Sequence, residues 1–399
     1  MSHQPKPWWG APRRFTDRKY ERKISWLELF YDLVYVAAIS QLTHHIAAHP
    51  SWPVLAYSFL LFSLIFWSWV NGSQYYDLHG SEGLRTRLLT FYQMLAVGAV
   101  AVSLNDAYEG QHRGFAFSFA ALQLLITYLW WSVGFYDKSH RKYSRFYTAN
   151  YLLAFFALIY SAWAPSQWIT PLWTAALILN LAPPVTALPT IQREMKATGQ
   201  VFTASATIVE RFGLFTIIVL AESILGTVTG IAEVKDKLPS AWIAFILCLL
   251  ISFLLWCIYF DMTSEQETKT GYGYMQWLIF LHFPLLAALS ITGACLKAML
   301  INMQPGLSEY LQWIFCSALV IILLSIVSIT KIMKEEEEDR SYINPMRRIL
   351  VVISFIILLI PLLKITNDPL IFLSSIGIIL LIPVIAGIRS WIRYRFPQI

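Results

Sequence analysis

The residues best able to do chemistry in this sequence are charged side chains set inside long apolar runs. Residues 26–45, WLELFYDLVYVAAISQLTHH, carry Glu28 and Asp32, and residues 208–227, IVERFGLFTIIVLAESILGT, carry Glu210, Arg211 and Glu222. A carboxylate so placed binds a cation or a proton, serves as a general acid or base, or pairs with a fixed cation. Asp32 lies roughly 10 Å of helix beyond Ser25, and Glu222 roughly 22 Å beyond Thr207. At that depth a charge needs a partner or water. Four acids against Arg211 favour a cation or protons over an anion. A purely structural reading is an ion-pair lock, for example Arg211 with Asp32.

The shallower acids have a second role open to them. Ser25 and Glu28 are spaced as a capping box, with Ile24 and Leu29 as its staple, and Thr207 with Glu210 repeats the spacing. Gln93 and His282 are further polar residues at membrane depth. They either line the same path or pair to hold helices together. His44 and His45 sit at the outer end of the first run, as interfacial residues or as a metal or pH site. Tyr75, Tyr76, Trp130 and Trp131 fall at run ends and read as an aromatic belt.

These residues must be held by membrane helices. Hydrophobic residues make up 57% of the 399, charged residues only 14%, and mean hydropathy is +0.55. About a quarter of a soluble chain is charged, so a surface this poor in charge belongs in a bilayer. Runs long enough to span begin near residues 25, 53, 86, 114, 146, 168, 207, 240, 273, 308, 348 and 369. With an inside N-terminus, 24 of the 30 Lys and Arg fall inside, five (Lys297 among them) fall outside, and Arg211 lies within a span. Both termini are therefore expected in the cytoplasm. The net charge of +6 follows topology, which argues against a nucleic-acid partner. Four cysteines lie in apolar runs without CxxC spacing, so neither disulfides nor zinc is indicated. The acidic run Glu335–Asp339 reads as a solvated cytoplasmic loop.

The chain also looks duplicated. A shift of 189 aligns Ser63 with Ser252, Trp67 with Trp256, and Gln93 with His282; a shift of 182 aligns Glu28 with Glu210. The fold class expected is an all-α polytopic membrane protein of twelve transmembrane helices in two parallel six-helix repeats. The boundaries expected are a basic tail at 1–24, repeats at 25–190 and 207–390, a cytoplasmic linker at 191–206 and a C-terminal tail at 391–399. An even helix count per repeat puts the pseudo-twofold along the membrane normal.

The segments LELFYDLVYVAAISQLTHHI and ERFGLFTIIVLAESILG resemble the paired signatures of the bacterial low temperature requirement A (LtrA) family, over about residues 20 to 390. The resemblance implies a multi-pass protein of the bacterial inner membrane. Tyr31 and Tyr35 stand where that family usually has Phe, and Ala221 where Gly is common. The segment FYDLVY, residues 30–35, is also similar to the opening of the first helix in potassium channels built from two six-helix repeats, without their serine.

Three functions follow as expectations. The first is a secondary transporter or channel for a small cation or a proton-coupled solute, with Asp32, Glu222, Glu28, Glu210, Arg211, Gln93 and His282 along its path. The second is a non-transporting stress or assembly protein in which the acids are structural ion pairs. The third is a membrane-embedded enzyme, for which the sequence offers no nucleotide-binding loop, HExxH or GxSxG. No cofactor is implied. The partner is the lipid bilayer, and the metal content and oligomeric state are left open.

Overall fold

The computed structural model describes residues 10–13, 23–81, 83–138, 140–190, 193, 204–263, 266–303, 306–334 and 337–395. Most of the N-terminal tail, most of the 191–206 linker and the last four residues lie outside these. Among the described residues the chain forms twelve long α-helices and no strand beyond an isolated bridge, Thr268 with Met333. In chain order they are α1 (Trp26–Ala48), α2 (Trp52–His79), α3 (Leu84–Tyr108), α4 (Arg113–Tyr136), α5 (Arg141–Ser161) and α6 (Ser166–Thr186). There follow α7 (Ala206–Glu233), α8 (Pro239–Thr263), α9 (Tyr272–Ile301), α10 (Glu309–Ile332), α11 (Glu337–Leu362) and α12 (Pro369–Arg395).

Ten of them are long and apolar enough to cross a membrane. The two that fall short are α1, which carries Glu28 and Asp32, and α5, which opens on Arg141, Lys142 and Arg145. Both have length enough, at 23 and 21 residues. Apolar side chains such as Val102, Ile246, Phe355 and Ile378 are exposed, which suits faces covered by lipid rather than water.

Local chemistry sets the helix starts. Ser25 and Glu28 do form the capping box: Ser25 N donates to Glu28 Oε2 over 2.9 Å, and Glu28 N donates to Ser25 Oγ over 3.3 Å. The second box does not form. Helix α7 starts one residue before Thr207, and Ser205 caps it by accepting from Ile208 N over 3.1 Å. A serine hydroxyl three residues before a free amide meets the cap geometry, which leaves Thr207 inside the first turn. Pro239 and Pro369 open α8 and α12, where a missing N–H costs nothing. Of the acidic run expected as a loop, Glu337 to Asp339 are helical, in the first turn of α11, and Glu335 and Glu336 lie outside the described residues.

The chain divides into two compact units. The first holds α1 through Leu42, α2 from Phe59, α3 to α6, and α7 through Arg211. Within it α3 packs on α4, α4 on α5 and α5 on α6. Neutral polar groups join four of its helices: Trp67 Nε1 donates to Asn180 O (2.7 Å), Asn180 Nδ2 to Gln123 Oε1 (3.0 Å), and Tyr151 Oη to Asn71 Oδ1 (2.5 Å). The second unit holds Thr43–Ser58 and the chain from Phe212. Within it α9 packs on α10, α10 on α11, α11 on α12, and α12 on α8.

Candidate functional site

Asp32 is wholly buried in the first unit, and its carboxylate is saturated. Arg211 Nη2 donates to Oδ1 over 2.7 Å and Nε to Oδ2 over 3.2 Å, the forked geometry that a guanidinium offers a carboxylate. Trp69 Nε1 donates to the same Oδ1 over 2.7 Å. Glu28 Oε1 lies 3.6 Å from Arg211 Nη1, at ion-pair distance but too far for a hydrogen bond. The guanidinium carbon also sits 5.5 Å from the Tyr31 ring centre and 5.8 Å from that of Trp69. Two carboxylates and two aromatic faces thus surround one arginine that is 1% exposed.

A second layer steadies this pair. The Tyr31 hydroxyl lies 3.1 Å from that of Tyr35 and 3.3 Å from Gln93 Oε1, and Gln93 Nε2 donates to Tyr76 Oη over 2.5 Å. Gln93 is thereby fixed within its own unit. Gly72 makes the arrangement possible, because a methyl group there would lie 2.1 Å from the Tyr31 oxygen. Sequence reasoning missed Trp69 and Gly72, and placed Tyr76 in an aromatic belt. A signal existed in the run SWVNGSQYYD, residues 68–77, which is too polar for a helix of α2's hydropathy unless its side chains are paired internally.

Glu222 lies in the second unit, buried on α7, and borders a cavity of about 10 Å³, which is near the least space that holds one water. His44 at the end of α1 places Nε2 3.8 Å from its Oε1. Lys297 of α9 lines the same cavity. Lys297 is 8% exposed and inside the helix, not in an outer loop, and its Nζ lies 2.9 Å from Glu233 Oε1. Its stem buries against α7, as long basic side chains do when they reach along apolar surface. Gly226, Gly230 and Gly293 let α7 and α9 approach closely: a methyl on Gly293 would lie 3.0 Å from the Ser223 Cα.

The remaining sequence candidates fall elsewhere. His282 donates from Nδ1 to Leu278 O over 2.7 Å, so Nε2, 3.0 Å from the Tyr259 hydroxyl, accepts. It is a satisfied core imidazole stacked near Phe212. Glu210 is exposed. Tyr75, Tyr76 and Trp130 are not a belt: all three are buried, Trp130 lying 4.2 Å from the Tyr147 ring. Position at a span's end does not say which face a side chain takes. Trp131, at 44% exposure, does face outward. Arg85, counted as a loop cation, is buried in the first turn of α3, donating to Tyr75 Oη (3.0 Å) and Ser132 Oγ (2.6 Å). Among the described residues no group of three or more His, Cys, Asp or Glu is arranged to hold a metal.

Comparison with known proteins places the chain in a family. The family model for bacterial low temperature requirement A protein (LtrA) matches residues 23–385. This chain belongs to the LtrA family. A relative, the uncharacterized protein RA0937 of Rhizobium meliloti (strain 1021), is 25% identical over 293 residues, covering 68% of either chain. The matched range takes in both acidic segments: the Asp32–Arg211 pair joining α1 to the start of α7, and Glu222 farther along α7.

Proposed function

We propose that this LtrA protein is a secondary transporter or channel of the inner membrane for a small cation or a proton-coupled solute, with Glu222 as its exchanging acid. The observation that carries the reading is the contrast between the two deep acids. Asp32 is held by a forked guanidinium and an indole, whereas Glu222 borders a water-sized cavity beside a half-exposed imidazole. A buried acid at a water-sized space inside a membrane helix is the usual substrate of ion or proton movement. The Asp32–Arg211 pair takes the structural role, so the ion-pair reading applies to that half of the site.

The architecture that supports this function has twelve spans in two parallel six-helix repeats with both termini cytoplasmic. The excess of basic residues on the side of the termini favours it, with Arg85 and Lys297 set aside as buried helix residues. Helices α1 and α5 complete the count because each is long enough, and the acids of α1 at membrane depth are buried in protein rather than turned to lipid. The test is flux through the purified full-length protein in liposomes. Ion or proton movement that is lost in Glu222→Gln supports the proposal. Absence of any flux in the parent protein would sink it in favour of an assembly role.

A further inference from the structure

The groups around Glu222 bear on which ion is exchanged. A metal cation such as sodium or calcium asks for several oxygen ligands. The cavity beside Glu222 has room for about one water molecule. Three hydroxyl residues border it, Thr43, Ser223 and Ser290, and Ser290 Oγ donates its proton to Leu286 O over 2.9 Å while keeping its lone pairs. His44 of α1 and Lys297 of α9 are among the residues that line it, with the Lys297 ammonium itself resting on Glu233. With Glu222 itself they are the titratable residues of that lining, and Glu233 lies farther along the same helix.

The lysine is placed to serve both acids of α7. Methyl groups built on Gly226 and Gly230 would lie 3.9 Å from Lys297 Cβ and 3.4 Å from its Cγ, so its stem runs along these two glycines. Glu222 is one turn before Gly226, roughly 6 Å along the axis, and Glu233 is three residues past Gly230, roughly 4.5 Å. Eleven residues separate the two acids, which puts them on one face of the helix. The ammonium rests on Glu233, and the same stem turned the other way along the two glycines would carry it toward Glu222.

We infer, resting on the reading of Glu222 as an exchange site, that the ion exchanged is a proton and that Lys297 is a resident cation occupying a metal ion's place. The ammonium lies on Glu233 in the structure, the arrangement assigned here to the protonated state of Glu222. When Glu222 gives its proton to His44 through the cavity, the new carboxylate draws the ammonium away from Glu233. Lys297 keeps its own proton throughout. His44, 40% exposed, passes the proton onward.

The test uses full-length protein in vesicles of phosphatidylethanolamine and phosphatidylglycerol. A pH-sensitive dye inside reports protons, and parallel samples report radioactive sodium and rubidium. The parent should carry protons and neither metal ion, Glu222→Gln should lose proton flux, and Lys297→Met should admit sodium or rubidium. Glu233→Gln, a change at a half-exposed residue that leaves the fold intact, should slow proton flux by releasing the ammonium onto Glu222. Sodium or rubidium flux through the parent that needs Glu222 would overturn the proton assignment while leaving the transport reading standing. Unchanged proton flux in Glu233→Gln, or a folded Lys297→Met that excludes both metals, would overturn the role of Lys297. If the parent carries nothing, the transport reading fails on its own. Infrared titration in detergent then decides proton binding. A carboxylic-acid band that titrates and disappears in Glu222→Gln supports the assignment, and its absence overturns it.

Discussion

Replacing Asp32 by Asn leaves shape almost unchanged and removes one charge from the centre of the first unit. The asparagine oxygen can still accept from Trp69 and from Arg211 Nη2. Its amide nitrogen, however, faces Arg211 Nε, now 3.2 Å from Oδ2, so a donor meets a donor. At an effective dielectric of about 20, opposite charges about 3 Å apart attract by roughly 5 kcal/mol. Glu28 remains at 3.6 Å and keeps part of the compensation. The net loss expected is about 3–5 kcal/mol, typical of a buried pair broken on one side. For a unit of about 200 residues that lowers melting by roughly 6–20 °C. Circular dichroism in detergent measures the shift. The four cysteines, Cys248, Cys257, Cys295 and Cys316, are buried in the second unit, so thiol labelling during the melt reports that unit separately. Combining Asp32→Asn with Arg211→Gln should recover part of the loss, with a coupling of about 0.5–3 kcal/mol. Losses that simply add, or an unshifted Asp32→Asn melt, would refute the lock.

Gly72→Ala should destabilise by about 1–3 kcal/mol through collision with the Tyr31 hydroxyl, and Tyr31→Phe in the same protein should restore part of it. Gly293→Ala should cost a similar amount by pushing α9 off Ser223, whereas Gly98→Ala, whose methyl meets nothing within 4 Å, should stabilise α3 by about 0.5–1 kcal/mol. Both pairs are read by melting in detergent. Glu210→Gln, at an exposed position, should leave melting within about 0.5 kcal/mol of the parent and leave flux unchanged. A clear loss there would return Glu210 to the path.

The helices were legible because a membrane span is a matter of length and hydropathy, and each expected run lies on an observed helix. The depth of Asp32 demanded a partner, and Arg211 stood among few candidates. Trp69 was not legible, since nothing local says which indole in α2 turns toward α1. Lys297 and Arg85 were misplaced for a shared reason. Hydropathy ends a span at the first charge, while helix geometry continues wherever the stem has a surface to lie on, here Gly226 and Gly230 for the lysine. The second capping box failed by register: Ser205 offers the same chemistry two residues earlier, and a helix takes one cap.

Arg211 and Asp32 are separated by 179 residues, and that interval has a meaning during synthesis. At about 5–20 residues per second, roughly 10–35 s pass between the emergence of the acid and that of its guanidinium. Throughout that time α1 and the next five helices have been made, yet the acid at their centre lacks its bidentate partner. The insertion machinery must therefore shelter α1, or let water reach it, until the start of α7 arrives. Termination after α6 and before residue 211 yields a six-helix product in which Asp32 lacks its guanidinium, a form that quality-control proteases can tell from the finished chain.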